Sequence, residues 1–158
     1  MDNPCSVRPA TEDDLEQVLE IERDSFPKPW QAEAFKTEMS RSYARFWVLT
    51  DDETDTKVLG YIVFWLQAEA VSLLTIAVRP TERGQGYAER MIREMVKCVT
   101  HDEYPKIILE VRESNQAARK LYQKMGFSEI ASRKGFYEDG EAAIIYELKT
   151  SDVPDTVQ

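Results

Sequence analysis

The sequence predicts a mixed α/β fold, a central and mostly antiparallel sheet with one parallel strand pair around a βαβ unit, flanked by about four helices. Three observations carry this. Met91, Ile92, Met95, Val96 and Val99 repeat at helical spacing shortly after an apolar, strand-like run from Val71 to Val78. A second apolar run, Ile107 to Val111, follows that helix and completes the strand, helix and strand of a right-handed parallel crossover. Elsewhere, aromatic and β-branched runs come in pairs divided by short polar stretches, the pattern of antiparallel hairpins.

Along the chain, after a short apolar start near Val7, Thr11 followed by Asp14 resembles an N-cap. Leu15, Val18, Leu19 and Glu22 then recur at helical spacing, so a helix is expected over about residues 12–24. Pro27 and Pro29 break it. Trp30 to Met39 reads as a second, shorter helix with Phe35 and Met39 facing inward, which leaves Phe26 to Trp30 as an aromatic-bearing loop. Residues 45–50 and 57–67 form a hairpin across the polar segment from Asp51 to Thr56. Strand Val71–Val78, the long helix and strand Ile107–Val111 make the βαβ unit. Ser114 is a natural N-cap for the next helix, whose inner face is Ala117, Ala118, Leu121, Tyr122 and Met125, and Gly126 stands where a left-handed residue ends it. Phe127 to Ser132 and Ala142 to Leu148 form a last strand pair around Asp139-Gly140, and the tail from Thr150 is expected to fray.

The chain has 158 residues, close to the size of one domain, so residues 1–149 are read as a single domain and 150–158 as a disordered tail. Cys5 and Cys98 stand far apart and outside any C-x-x-C pattern, which argues for ordinary thiols and against a disulfide framework or zinc knuckle. The start lacks a basic segment followed by an apolar one, and the longest apolar run, roughly Tyr61 to Leu66, is too short to span a bilayer. A cytoplasmic protein with no membrane partner is the expectation. With 29 acidic against 20 basic residues the net charge is −9, and no Lys/Arg stripe interleaved with aromatics occurs, which argues against nucleic acid as a direct ligand. An acidic surface steers cationic substrates, though it serves solubility equally well.

The segment Arg83-Gly84-Gln85-Gly86-Tyr87-Ala88 lies between a strand end and a helix start, where backbone N–H groups and the positive helix end favour an anion. It is no P-loop, since no Gly-Lys-Ser/Thr closes it, and no dinucleotide fingerprint, since Glu89 holds the third glycine position. Arg83-x-x-Gly86-x-Ala88 resembles the pyrophosphate loop of the GNAT superfamily of N-acetyltransferases. Leu73-Leu74-Thr75-Ile76-Ala77-Val78, Leu109-Glu110-Val111-Arg112-Glu113-Ser114-Asn115 and Leu121-Tyr122-Gln123-Lys124-Met125-Gly126-Phe127 fit in order and spacing. The resemblance covers roughly residues 6–148 and is nearest to the branch of RimI-type ribosomal-protein alanine N-acetyltransferases and protein N-terminal acetyltransferases.

The resemblance implies acetyl-CoA as co-substrate and no metal. It implies that the backbone of Ile76, Ala77 and Val78 pairs with the pantetheine arm where the parallel strands splay, that Gly84, Gln85, Gly86, Tyr87, Ala88 and Glu89, with Arg83, hold the pyrophosphate, and that Asn115 contacts the cofactor. An N–H near Ala77 or Val78 would bind the developing oxyanion. Glu110 matches the proton acceptor of this branch, and its place at the end of an apolar strand suggests desolvation that raises a carboxyl pKa. A strand-end glutamate facing water is the plainer alternative. Tyr122 matches the donor to the departing CoA sulfur; a core tyrosine beside Leu121 is its alternative. A thiolate with an intrinsic pKa near ~8.5 leaves without full protonation, so orientation and charge stabilisation should matter more than complete transfer.

The nucleophile must be a neutral amine. At pH 7 an α-amino group near ~7.8 is about a tenth free base, whereas lysine near ~10.4 carries a handicap of about 3.5 kcal/mol relative to it. This ranks a protein N-terminus above lysine without excluding lysine. Related enzymes place aromatics around the incoming N-terminus, which here points to Phe26 and Trp30 and to Phe136 and Tyr137, although Trp30 serves equally well as a helix-anchoring core residue. The branch often shows Tyr-Tyr and then Gly-Glu-Asp-Ala. This chain has Phe136-Tyr137 and Gly140-Glu141-Ala142-Ala143, so a hydroxyl and a carboxylate are missing and the preference for a first residue does not transfer. His101, beside Asp102 at a helix end, reads as a solvated cap. Two other readings stay open, acetylation of a small-molecule amine and a non-catalytic CoA-binding sensor, and a ribosomal target is an analogy.

Overall fold

Seven strands and four α-helices form among the described residues, 5–154, of the structure, a computed structural model. Residues 1–4, on which the reading of the N-terminus rests, and residues 155–158 of the expected tail lie outside them. In chain order the elements are β1 (Cys5–Pro9), α1 (Leu15–Ser25), α2 (Ala32–Ser40), β2 (Ala44–Asp51), β3 (Val58–Leu66), β4 (Val71–Val78), α3 (Tyr87–His101), β5 (Lys106–Arg112), α4 (Gln116–Lys124), β6 (Ser128–Arg133) and β7 (Ala143–Lys149). The mixed α/β class read from the sequence is the one found. The chain divides into two units, one with the residues up to Trp65 and Thr75–Glu94, the other with Leu66–Leu74 and the residues from Met95 onward.

In the first unit the strands run in the order β1-β2-β3-β4, and the pairings of β1 with β2 and of β2 with β3 are antiparallel, as the hairpin pattern predicts. Helix α1 follows a short 3-10 turn, Glu12–Asp14, where the Thr11 N–H donates to the Asp14 carboxylate at 2.8 Å. Its buried stripe is Leu15, Val18, Ile21 and Glu22; Leu19, expected inside, is only half-buried. On α2, Phe35 is buried as expected, but Glu38 and not Met39 is the second inward residue. The reason lies on another strand, since Trp65 Nε1 donates to the Glu38 carboxylate at 2.6 Å and Arg41 at 2.7 Å.

Gly60, near the start of β3, is a close-approach position. A Cβ there would lie 2.7 Å from the Ala77 carbonyl oxygen of β4 and 2.8 Å from Met91 Cε of α3. The missing side chain lets β4 and the start of α3 sit directly against β3.

In the second unit the order is β4-β5-β7-β6. The β4–β5 pairing is parallel, from Val71↔Ile107 to Leu73↔Leu109, and β5 and β6 each pair antiparallel with β7. The cap of α4 is Asn115 rather than Ser114: its side chain accepts the Ala118 N–H at 3.1 Å. Of the inner face expected for α4, Tyr122 is buried, Ala118, Leu121 and Met125 are half-buried and Ala117 is exposed. Gly126, at φ +97°, follows the end of α4 as predicted. Thr150–Asp152, read as the start of a frayed tail, forms a 3-10 turn in which the Thr150 N–H donates to the Pro105 carbonyl at 3.0 Å.

Candidate active site

In the first unit, β4 ends at Val78 and a short turn leads to the loop before α3. Arg79 fixes the strand end: its N–H donates to the Leu59 carbonyl at 2.7 Å, and its Nε to the Val58 carbonyl at 2.8 Å. Gly84 and Gly86 adopt φ +83° and +81°, a region that side chains disfavour, and no atom lies within 4 Å of where a Cβ would stand on either. The backbone at the start of α3 is therefore open to close approach by a ligand, where the helix dipole and first-turn N–H groups favour an anion. Gln85, Tyr87, Ala88 and Glu89 belong to the same turn, with Tyr87 buried. Arg83 differs from the expectation of a phosphate ligand, because its Nε donates to the Val78 carbonyl at 3.1 Å and its Nη2 to Ser25 Oγ at 3.0 Å. Its guanidinium ties the loop to β4 and α1.

The acceptor loop expected from Phe26 to Trp30 belongs to this unit too. Both aromatics are half-buried, and the Trp30 ring lies 5.1 Å from that of Phe35. Trp30 thus anchors α2 while keeping an exposed edge.

In the second unit, the alternation of a pleated strand decides where Glu110 points. Ile107, Leu109 and Val111 are buried on one face of β5; Ile108, Glu110 and Arg112 share the other. Glu110 is exposed, which overturns the desolvation expected for it: the run Ile107 to Val111 reads as apolar on both faces, but only one is covered. Two residues on, Arg112 lies with its Cζ 4.1 Å from the centroid of the Tyr137 ring and donates to Asp139 at 2.8 Å and Glu141 at 3.0 Å. Glu141 also accepts the Ser114 N–H at 2.8 Å, and its carbonyl accepts the Tyr137 N–H at 3.1 Å. Tyr137 is thereby fixed over the Glu110 face of β5. Burial pushes the Tyr137 phenol up, Arg112 draws it partly back, and the Glu110 and Glu141 carboxylates push it further. Phe136 is exposed and stacks edge-on against Tyr137, 5.0 Å between centroids.

Tyr122 is buried, with its ring 5.8 Å from Phe127 and 6.2 Å from Tyr146. Burial first, and Tyr137 second, raise its phenol well above the usual value, so it remains a proton-bearing donor at neutral pH. Electrostatic interaction links Tyr137 to Glu110 and to Tyr122. Asn115, expected as a cofactor contact, spends its side-chain oxygen as the cap of α4. Beside it an open groove of about 410 Å³ is lined by Glu113, Ser114, Gln116, Arg119, Glu141 and Ala142, with the Glu141 carboxylate already on the Ser114 N–H. That helix start carries its own anion; the start of α3 has the open glycine turn. His101, at 3.2 Å from Asp102, is a solvated helix-end residue.

Sequence reasoning assigned no role to Arg112, although it lies inside a quoted motif, nor to Glu22, Tyr61 and Thr75, which meet in the first unit. The one available signal for Glu22 was a carboxylate at the i+7 position of an apolar helical stripe that begins at Leu15.

The model of the acetyltransferase (GNAT) family matches residues 15–127. A Bacillus subtilis protein provisionally named a ribosomal protein bS18-alanine N-acetyltransferase is 34% identical over 147 residues, which cover 92% of this chain and 95% of that protein. An N-alpha-acetyltransferase of Saccharolobus solfataricus is 29% identical over 153 residues, covering 89% of this chain and 90% of the relative. The crystal structure of the ribosomal-protein-S18-alanine N-acetyltransferase from Escherichia coli superposes with a TM-score of 0.83 at 26% identity, covering 96% of this chain and 97% of that one. No helix among the described residues is long and apolar enough to cross a membrane. The chain belongs to the acetyltransferase (GNAT) family and, within it, to the branch of RimI-type N-acetyltransferases.

Proposed function

We propose that this protein transfers the acetyl group of acetyl-CoA to the free α-amine of a protein N-terminus, in a direct ternary complex. The observation that carries the reading is Glu110, exposed on the face of β5 that it shares with Arg112, the residue that holds Tyr137 in place. Exposure lets an incoming ammonium group reach the carboxylate, which attracts it and takes its proton, directly or through one water. The neutral amine then attacks the thioester carbonyl. An N–H near Ala77 or Val78 stabilises the oxyanion, and as the C–S bond breaks the Tyr122 hydroxyl donates to the departing sulfur. The left-handed, open turn at Gly84 and Gly86 fits the pyrophosphate of the co-substrate, with the Ile76–Val78 backbone as the strand edge for its amide-bearing arm.

Tyr137 and Phe136, with Phe26 and Trp30, are read as the acceptor-binding aromatics. A ribosomal-protein terminus is the acceptor suggested by the named relatives, and a cytoplasmic location accords with Cys5 and Cys98 standing outside any disulfide. The test is acetyl-CoA-dependent thiol release with three kinds of acceptor. These are peptides with free Ala, Ser or Met N-termini, the same peptides blocked but carrying lysine, and polyamines. Turnover confined to free N-termini supports the proposal. Turnover of polyamines or blocked lysine peptides alone replaces it with the small-amine or lysine reading, and acetyl-CoA binding with no turnover replaces it with the sensor reading.

A further inference from the structure

One carboxyl in the first unit is buried at 2% exposure and takes no part in the proposed transfer: Glu22. Its Oε2 accepts the Trp30 N–H at 2.9 Å, and its Oε1 accepts the Tyr61 hydroxyl and, at 3.4 Å, the Thr75 hydroxyl. Its main-chain carbonyl accepts the Phe26 N–H at 3.1 Å. A single residue therefore ties both ends of the Phe26–Trp30 loop, and ties them to β3 at Tyr61 and to β4 at Thr75, the residue before Ile76. Among the described residues these donors to the carboxyl are an amide and two hydroxyls, all neutral. An uncompensated buried carboxyl costs stability, and burial raises its pKa accordingly. An apolar side chain would avoid the desolvation of a carboxyl, but it would leave the Trp30 N–H and the two hydroxyls without their acceptor.

We propose that Glu22 is a positioning residue for the acceptor: it clamps the loop that carries Phe26 and Trp30 and registers it against β4. This rests on the reading of that loop as part of the acceptor site. It separates from a purely structural role because the clamp acts on one substrate. Loosening the loop should weaken the peptide far more than acetyl-CoA, whose turn at Gly84 and Gly86 is tied to α1 by Arg83 on Ser25 and not by the Glu22 carboxyl, whereas a damaged scaffold would weaken both alike.

The experiment compares the full-length wild type with Glu22→Leu, Glu22→Gln and Tyr61→Phe. It measures the KM of the peptide that the wild type uses best, the Kd of acetyl-CoA, the urea midpoint, and amide hydrogen exchange over residues 26–31. For Glu22→Leu the expected result is a peptide KM raised about tenfold, acetyl-CoA Kd within about twofold and faster exchange at the Trp30 amide, with the urea midpoint showing that the protein remains folded. Glu22→Gln, which keeps an oxygen for the Trp30 N–H, should restore most of the peptide affinity. Unchanged peptide KM and unchanged Trp30 exchange in Glu22→Leu would overturn the proposal, as would an equal loss of both substrates. Should Glu22→Leu not fold, Tyr61→Phe carries the same test, with a KM raised about threefold and the same sparing of acetyl-CoA. If the wild type turns over no peptide, the functional reading fails by itself, and the exchange rate at Trp30 still decides whether Glu22 is the clamp.

Discussion

The guanidinium of Arg112 lies 4.1 Å from the centroid of the Tyr137 ring while it bridges the carboxylates of Asp139 and Glu141. Both carboxylates are served by its Nη1 while the planar guanidinium faces the ring, a stacking that an ammonium does not reproduce. Glu141 passes the arrangement on to the start of α4 through the Ser114 N–H and to the tyrosine itself through its own carbonyl. The β6–β7 turn, which carries Phe136 and Tyr137 of the proposed acceptor site, is thus held by one residue two positions beyond Glu110.

Replacing that residue should act on the acceptor. Arg112→Met is expected to raise the peptide KM about tenfold, on a cation–π contribution of roughly 1–2 kcal/mol, with acetyl-CoA affinity unchanged. Arg112→Lys keeps the charge and should recover only a minor part. Equal kinetics in the lysine variant and the wild type would show that charge, and not the planar stack, is what Tyr137 requires.

Stability should depend on pH through Glu22. Its folded-state pKa lies above the unfolded value, so the protonated form is the better buried one. The contribution is fully present below the unfolded pKa of about 4.3 and is lost as pH rises through the folded value. Glu22→Gln cannot titrate. The urea midpoint of the variant relative to wild type should therefore climb from acid toward neutral pH; a difference that is flat or falls would contradict the assigned direction.

Gly60→Ala tests the close packing beneath the proposed co-substrate strand. The added methyl meets the Ala77 carbonyl oxygen, a backbone atom that cannot rotate away, and Met91, whose tip can. A loss of about 1–3 kcal/mol in unfolding free energy is expected, together with weaker acetyl-CoA binding as β4 shifts. Wild-type values for both in an alanine variant would mean that β3 and β4 adjust freely at this point.

Tyr122→Phe should slow turnover about tenfold. Because burial keeps the phenol protonated far into alkaline solution, the wild-type kcat profile should show no descending limb below pH ~10. A fall in kcat between about pH 8 and 9 that vanishes in Tyr122→Phe would show a phenol ionising lower than its surroundings dictate.

How much of this was legible in the sequence depends on where the determining partner sits. The buried stripe of α3, the β2–β3 hairpin and the parallel β4–β5 pair follow from local periodicity, and all are present. So does the glycine turn before α3, since positive φ at Gly84 and Gly86 is a property of those residues and their place after a strand. What local pattern could not supply was the side of a strand that is covered. The apolar neighbours of Glu110 suggested burial, yet pleat alternation puts it on the open face with Arg112. Glu38 displaced Met39 from the interior of α2 because Trp65, on another strand, donates to it. Glu22 is the strongest case: the three donors to its carboxyl stand 8, 39 and 53 positions along the chain, beyond any window of helical periodicity. Ser114 and Asn115 are both good caps by composition, and the choice falls to Asn115 while the Ser114 N–H goes to Glu141.

The most direct test of the central claim is acetyl transfer to a peptide with a free N-terminus by the wild type and by Glu110→Gln, measured at pH 7 with saturating acetyl-CoA. The account predicts wild-type turnover, a kcat about 10²-fold lower in the variant, and an acetyl-CoA Kd that does not change. A variant that matches the wild type would remove Glu110 from the chemistry and leave the exposed face of β5 without its assigned role.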